Sequence, residues 1–223
     1  MRNQEKIWTA LGLGVATGIG IYFATRRKRI NPKGKSVLLV GDSQSAYSGG
    51  WQDQMRAKYG FNLTNISQGG KYTSYLLANK VKPYFEANRP VPDIFIIWGG
   101  SGNDGDSMVP PTTTWNNIQQ MIDIAKAKGV KDIYVLSGFN RDKTIVPENP
   151  YYSKLPAAYK NPKNRANYRT MAYGIKDNVK GAVVLPVYED VGANSTQDGI
   201  HLKIKPDMTK LADWVGGRIF KSI

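Results

Sequence analysis

The sequence predicts an α/β domain, a three-layer α/β/α sandwich in which a five-stranded parallel sheet is covered by helices on both sides. Three observations predict it. Five short apolar runs, rich in Val, Ile and Leu, follow residue 35. Helix-like segments lie between or after them, and the runs are apolar on both faces, as strands of a doubly covered parallel sheet are. The 223 residues are enough for one well-buried domain with an appendage, and 41% apolar content is that of a globular chain.

The first element is the appendage. Ile7 to Thr25, "IWTALGLGVATGIGIYFAT", is 19 residues without a charge. As a helix it would be about 28 Å long, the thickness of a bilayer's hydrocarbon core. Trp8 and Tyr22 stand near its ends, and "RRKR" (Arg26 to Arg29) follows directly. A cleaved signal peptide would carry its charge before the apolar run; here the heavier charge lies after it, which favours an uncleaved N-terminal transmembrane anchor. Gly14 and Gly18 have the G-x-x-x-G spacing that lets two such helices approach and self-associate. The positive-inside rule would place the RRKR flank on the cytoplasmic side, although a protein loaded into a virion would not be bound by it, so the face stays open.

Residues 1–35 are therefore read as anchor and basic linker, ending in "INPKGK", and 36–223 as the folded domain. Strands are expected at Val37 to Val40, Leu63 to Ile66, Ile94 to Trp98, Ile133 to Leu136 and Val183 to Val187. Helices are expected at Trp51 to Tyr59, Tyr75 to Ala87, Thr114 to Lys128, Arg165 to Asn178 and Met208 to Phe220. Asn140 to Asn164 breaks the rhythm with a long segment rich in Pro, Tyr and Lys, read as a flap over the site with surface decoration as the rival.

Several function classes lose their footing. The absence of Cys excludes thiol nucleophiles and Cys-based metal sites, and one histidine cannot build a zinc site of the usual kind. Neither a dinucleotide-binding nor a phosphate-binding glycine motif is present, so no cofactor is expected. Net charge is +14, but residues 1–35 hold eight Lys/Arg against Glu5, so half the excess sits in the appendage. The basic residues of the domain are scattered, apart from a loose group near several tyrosines (Lys154, Lys160, Lys163, Arg165 and Arg169) that reads as a solvated face rather than a nucleic-acid surface.

What remains is a set of polar residues at predicted strand ends. After the first strand comes "VLLVGDSQS", which puts Ser43 on a βα turn above the sheet. Ser45 stands where the G-x-S-x-G elbow has its second glycine, so that elbow is not present. After the second strand, "NISQGGKYTS" offers Gly69 and Gly70; after the third, "IIWGGSGNDGDS" offers Asn103 and Asp104. Near the C-terminus, "QDGIHLKIKP" holds Asp198 and the sole histidine, His201. A serine hydroxyl becomes a competent nucleophile when a neighbouring base takes its proton, and imidazole, with an unperturbed pKa near ~6.5, does so at neutral pH. An ionised aspartate beside it would fix its tautomer.

These blocks, in this order, resemble those of the SGNH hydrolases, the GDSL esterase and lipase family, over Val37 to about Phe220. The resemblance implies a flavodoxin-like fold and a Ser-His-Asp triad of Ser43, His201 and Asp198. It also implies an oxyanion hole made by the backbone N–H of Ser43, a glycine N–H and an asparagine side chain, here Gly70, with Gly69 as rival, and Asn103. One position departs from the family pattern, since Ser101 stands where its G-x-N-D block has a glycine. Asp42 and Asp104 are expected to brace loops.

The expected activity is hydrolysis of carboxylic esters through an acyl-enzyme, with acetyl or short acyl esters on an envelope glycan as substrate. Tyr47, Trp51, Tyr72 and Trp98 would suit stacking on a sugar ring. A lipase or lysophospholipase acting on membrane lipid esters is the first alternative. A non-catalytic glycan-binding or virion structural module on the same scaffold is the second.

Overall fold

The structure is a computed structural model that describes residues 29–99, 101–141, 145–191 and 200–222. The expected anchor at 7–25, with Gly14 and Gly18, lies outside the described residues, as does Asp198. Among the described residues no helix is long and apolar enough to cross a membrane.

The compact unit that carries the sheet spans Asn31–Ile223. Its strands are β1 (Ser36–Gly41), β2 (Asn62–Asn65), β3 (Ile94–Trp98), β4 (Asp132–Leu136) and β5 (Val183–Leu185). They pair in parallel in the order β2-β1-β3-β4-β5. In the register Leu38 faces Thr64 on one side and Phe95 on the other. β3 is apolar and buried at all five positions because strands and helices cover it on every side. β2, by contrast, reads Asn-Leu-Thr-Asn and is largely exposed, the pattern of a strand at the sheet edge. β5 ends at Leu185, short of the expected Val187, because Pro186 has no N–H to continue a ladder and the chain turns into a short helix there.

In chain order the described helices are α1 (Ser43–Ala46), α2 (Trp51–Tyr59), α3 (Thr73–Leu76), α4 (Lys82–Glu86), α5 (Ser101–Asp106), α6 (Pro111–Ala127), α7 (Ala157–Lys160), α8 (Pro162–Asn178), α9 (Val187–Asp190) and α10 (Thr209–Ile219). A π turn, Leu77–Val81, joins α3 to α4. α6 and α8 each begin three residues before the expected start. Pro111 and Pro162 supply the fixed φ and missing N–H that suit a first turn, and the Asn161 side chain caps the second by accepting from Lys163 N.

Alternate residues of each strand face opposite layers. Leu38, Val40, Phe95, Ile97, Ile133 and Val135 pack with α3, α4, α6 and α8, through residues such as Leu76, Phe85, Met121 and Ile175. The opposite layer is α2 against α10. There Tyr59 and Phe61 meet Phe220 at 5.4 and 5.1 Å between ring centroids, and Gly216 is small enough to let the Tyr59 ring lie where a Cβ would be. Each fully buried aliphatic side chain of this kind contributes about 1.5–3 kcal/mol.

The connectivity fixes where a site can form. From β1 the chain goes to β2 on one side, then crosses to β3 on the other, so the loops leaving β1 and β3 diverge and open a crevice at the carboxyl ends of those strands.

Candidate active site

Ser43 opens α1 directly after β1. The turn beneath it is held from several directions. The Asp42 carboxylate accepts from Gln44 N at 3.0 Å, and its carbonyl accepts from Ser45 N and Ala46 N, both at 3.1 Å. Ser45 donates its hydroxyl to the Trp98 carbonyl at 3.2 Å, and Asn65 Nδ2 donates to the Ser45 carbonyl at 2.7 Å. Two glycines make the packing possible: a Cβ on Gly41 would overlap the Trp98 carbonyl oxygen, and one on Gly99, at φ +142°, would overlap the amide nitrogen of Asp42. The carboxyl ends of β1 and β3 are thereby pressed together under Ser43.

The second and third loops are tied to each other. Asn103 Nδ2 donates to the Lys71 carbonyl at 3.1 Å. Asp104, one residue on, is buried and accepts from Thr73 N at 3.1 Å, from the Thr73 hydroxyl, and from the Thr114 hydroxyl at 2.6 Å. Burial pushes its carboxyl above the ordinary value, while the bonds from Thr114 and Thr73 work the other way. Asp104 therefore braces the loops on which Gly70 and Asn103 stand. Gly70 lines the cavity beside Ser43 and has φ +69°, a left-handed conformation that favours glycine. A Cβ on the rival Gly69 would lie 3.6 Å from the Ser43 Cβ, so both glycines border the serine.

His201 reaches the crevice from the loop before α10. Its Nε2 lies 2.9 Å from Ser43 Oγ, across 158 positions of sequence. The Tyr47 ring meets the imidazole edge-on at 5.2 Å. Gln44, which the sequence reading did not single out, grips the backbone on both sides of the histidine. Its Nε2 donates to the Ile200 carbonyl at 3.1 Å, and its Oε1 accepts from Leu202 N at 3.4 Å. Further along, Gln54 of α2 donates to the Ile204 carbonyl at 3.2 Å and accepts from the Thr209 hydroxyl at 2.7 Å.

Ser43, Gly70, Asn103 and His201 all border one cavity of about 200 Å³. Trp98, Asp106, Phe139, Arg141, Tyr159 and Tyr168 also line it. Arg141 and Asp106 form a bidentate ion pair at 2.8 and 2.9 Å, with side chains only 6% and 7% exposed. Burial raises the Asp106 carboxyl above its usual value, against the pull of the Arg141 guanidinium. The Asn140 to Asn164 segment thus contributes wall at both ends, Arg141 and Tyr159, and Ile145 and Leu155 between them are buried.

Two of the four aromatics expected to stack on a sugar are not available for it. Trp51 is fully buried in the layer of α2, edge-on to Trp98 at 5.4 Å, and Trp98 is itself 3% exposed with its indole N–H on the Ser137 carbonyl. Tyr72 is exposed and Tyr47 half-buried.

No family model matches this sequence, and no curated protein matches it. Solved structures do. TesA superposes with a TM-score of 0.58 at 22% identity, covering 82% of this chain and 97% of its own. The psychrotrophic esterase EstA from Pseudoalteromonas sp., in a form inhibited by monoethylphosphonate, gives 0.55 at 18% identity, covering 83% and 96%. A member of the lipolytic G-D-S-L family from Veillonella parvula gives 0.57 at 16% identity, covering 84% and 99%.

Proposed function

We propose that this chain, which has the SGNH-hydrolase fold, is a serine esterase that hydrolyses short acyl esters through a covalent acyl-enzyme. The observation that carries the reading is the 2.9 Å approach of His201 Nε2 to Ser43 Oγ at the crevice of the parallel sheet.

In this reading Ser43 Oγ attacks the ester carbonyl carbon and its proton passes to His201 Nε2. The carbonyl oxygen, now negative, is held by the backbone N–H groups of Ser43 and Gly70 and by the Asn103 side chain. The Asn103 amide has two N–H groups, so its bond to Lys71 leaves one for the oxyanion. The C–O bond to the alcohol breaks as His201 returns the proton to the departing oxygen. Water then gives its proton to His201, attacks the acyl carbon, and releases the acid while Ser43 regains its hydrogen. Asp198 is assigned to orient the imidazole.

A cavity of about 200 Å³ lies below the ~300–1,000 Å³ common for drug-sized ligands, which favours an acetyl or similarly short acyl group over a fatty acyl chain. Exposed Tyr72 is a stacking surface for a glycan carrier. The uncharged run at 7–25 supports a membrane tether, and with it the alternative of a lipid ester. Full-length protein assayed on p-nitrophenyl acetate, an acetylated glycan and a lysophospholipid tests the reading. Release of acetate from the first two, abolished in Ser43→Ala, is the expected result. Preferential lysophospholipid cleavage would select the lipid reading, and equal rates for wild type and Ser43→Ala would leave only a binding module.

A further inference from the structure

The tetrahedral carbon on Ser43 has four substituents. One is Ser43 Oγ, one is the oxyanion facing Gly70 and Asn103, and one is the leaving oxygen, which must reach His201. The acyl carbon chain takes the remaining direction, into the part of the cavity over the ends of β3 and β4. Both partners of the Arg141–Asp106 ion pair line this cavity.

We infer that this ion pair, with Tyr168 stacked on its guanidinium, is the end wall of the acyl pocket and sets acyl-chain length, restricting the substrate to acetyl and similarly short esters. The inference rests on Ser43 being the nucleophile. The wall is fixed from three elements at once. The Arg141 guanidinium lies 3.7 Å from the Tyr168 ring centroid and 5.6 Å from that of Tyr159. The Tyr168 hydroxyl donates to the Phe139 carbonyl at 2.7 Å, and Asn164 Nδ2 donates to the Asp106 carbonyl. α5, the loop after β4 and α8 are thereby joined behind the cavity.

A longer chain would have to push apolar methylenes against a buried charge pair or part its partners, and a parted buried pair leaves an uncompensated charge. The cavity of about 200 Å³ is small, which suits an ester with a short acyl group. Asp106 and Arg141 are 35 positions apart in sequence. They form a charged wall where an open apolar cleft would let each added methylene raise kcat/KM severalfold.

The test is a chain-length series on full-length protein, with p-nitrophenyl acetate, butyrate, hexanoate and octanoate. For the wild type, kcat/KM is expected to fall at least ~10-fold from acetate to hexanoate. The double variant Asp106→Leu/Arg141→Met removes both charges together. It is expected to raise the hexanoate-to-acetate ratio of kcat/KM by ~10-fold or more, with the gain in KM for hexanoate. Tyr159→Ala, at the half-buried edge of the wall, is expected to raise the same ratio by ~3-fold and decides the matter if the double variant does not fold. A wild-type kcat/KM that climbs through octanoate overturns the inference, as does a wild-type ratio retained by every folded variant. If no ester is turned over and Ser43→Ala behaves as wild type, the catalytic reading falls and this inference falls with it.

Discussion

The serine turn and the histidine turn meet at 2.9 Å but are held by different kinds of bond. Under Ser43 the constraints are mostly main chain. Two central strands are pressed together at glycines, a capped helix start follows, and buried Asp104 fastens the neighbouring loops. Around His201 the described constraints come largely from side-chain amides, Gln44 at Ile200 and Leu202 and Gln54 at Ile204 and Thr209. The sheet builds the seat of Ser43 directly. His201 is brought to it by Gln44, adjacent to Ser43 itself, so one short helix positions both side chains.

That contrast can be broken or sharpened in order of effect. Ser43→Ala and His201→Ala should each lower kcat by roughly 10⁴-fold or more in ester hydrolysis, as loss of either partner does in a serine protease. Unequal losses of more than ~100-fold between the two would separate the partners the geometry unites. Asn103→Ala should cost about 10²–10³-fold in kcat with little change in KM, read from full Michaelis curves, if its second N–H takes up the oxyanion as proposed. Gln44→Ala should cost ~10–100-fold in kcat and leave the melting temperature within a few degrees, since it loosens the approach of His201 without opening the core. A Gln44→Ala enzyme of undiminished kcat would show that the histidine turn holds itself.

The smallest effect lies at the other end of the sheet and separates stability from activity. Asp93 accepts from Lys35 Nζ at 2.8 Å and from Ser36 N at 2.9 Å, and the Lys35 bond together with that from Ser36 holds its carboxyl down at about 2. A carboxyl depressed in the folded state stabilises above its unfolded pKa of ~3.9 and loses that contribution as pH falls toward about 2. Because the pair is partly exposed, Asp93→Asn should cost under ~1 kcal/mol at pH 7. Thermal melts from pH 7 to 2 should show the wild-type advantage vanishing between about pH 4 and 2. Ester turnover at pH 7 should not change.

Much of this was legible in the sequence, for reasons that differ by element. β3 and β4 announce themselves because buried parallel strands are apolar at consecutive positions. β2 was placed one residue late because an edge strand of Asn-Leu-Thr-Asn carries only one apolar side chain. The early starts of α6 and α8 were written in Pro111, Asn161 and Pro162, cap signals that an apolar-periodicity reading passes over. Ser43, Gly70, Asn103 and His201 were named from local motifs, and the structure brings them around one cavity. Gln44 and the Arg141–Asp106 pair were not legible, since each acquires its place from a partner 35 to 158 positions away and no local pattern marks it.

The most direct test of the central claim is covalent. Full-length protein treated with a p-nitrophenyl alkylphosphonate carrying a short alkyl group, then digested and mapped by mass spectrometry, should carry one adduct, on Ser43. The adduct should be absent in Ser43→Ala and form at least ~100-fold more slowly in His201→Ala. An unmodified Ser43, or a labelling rate indifferent to His201, would contradict the account.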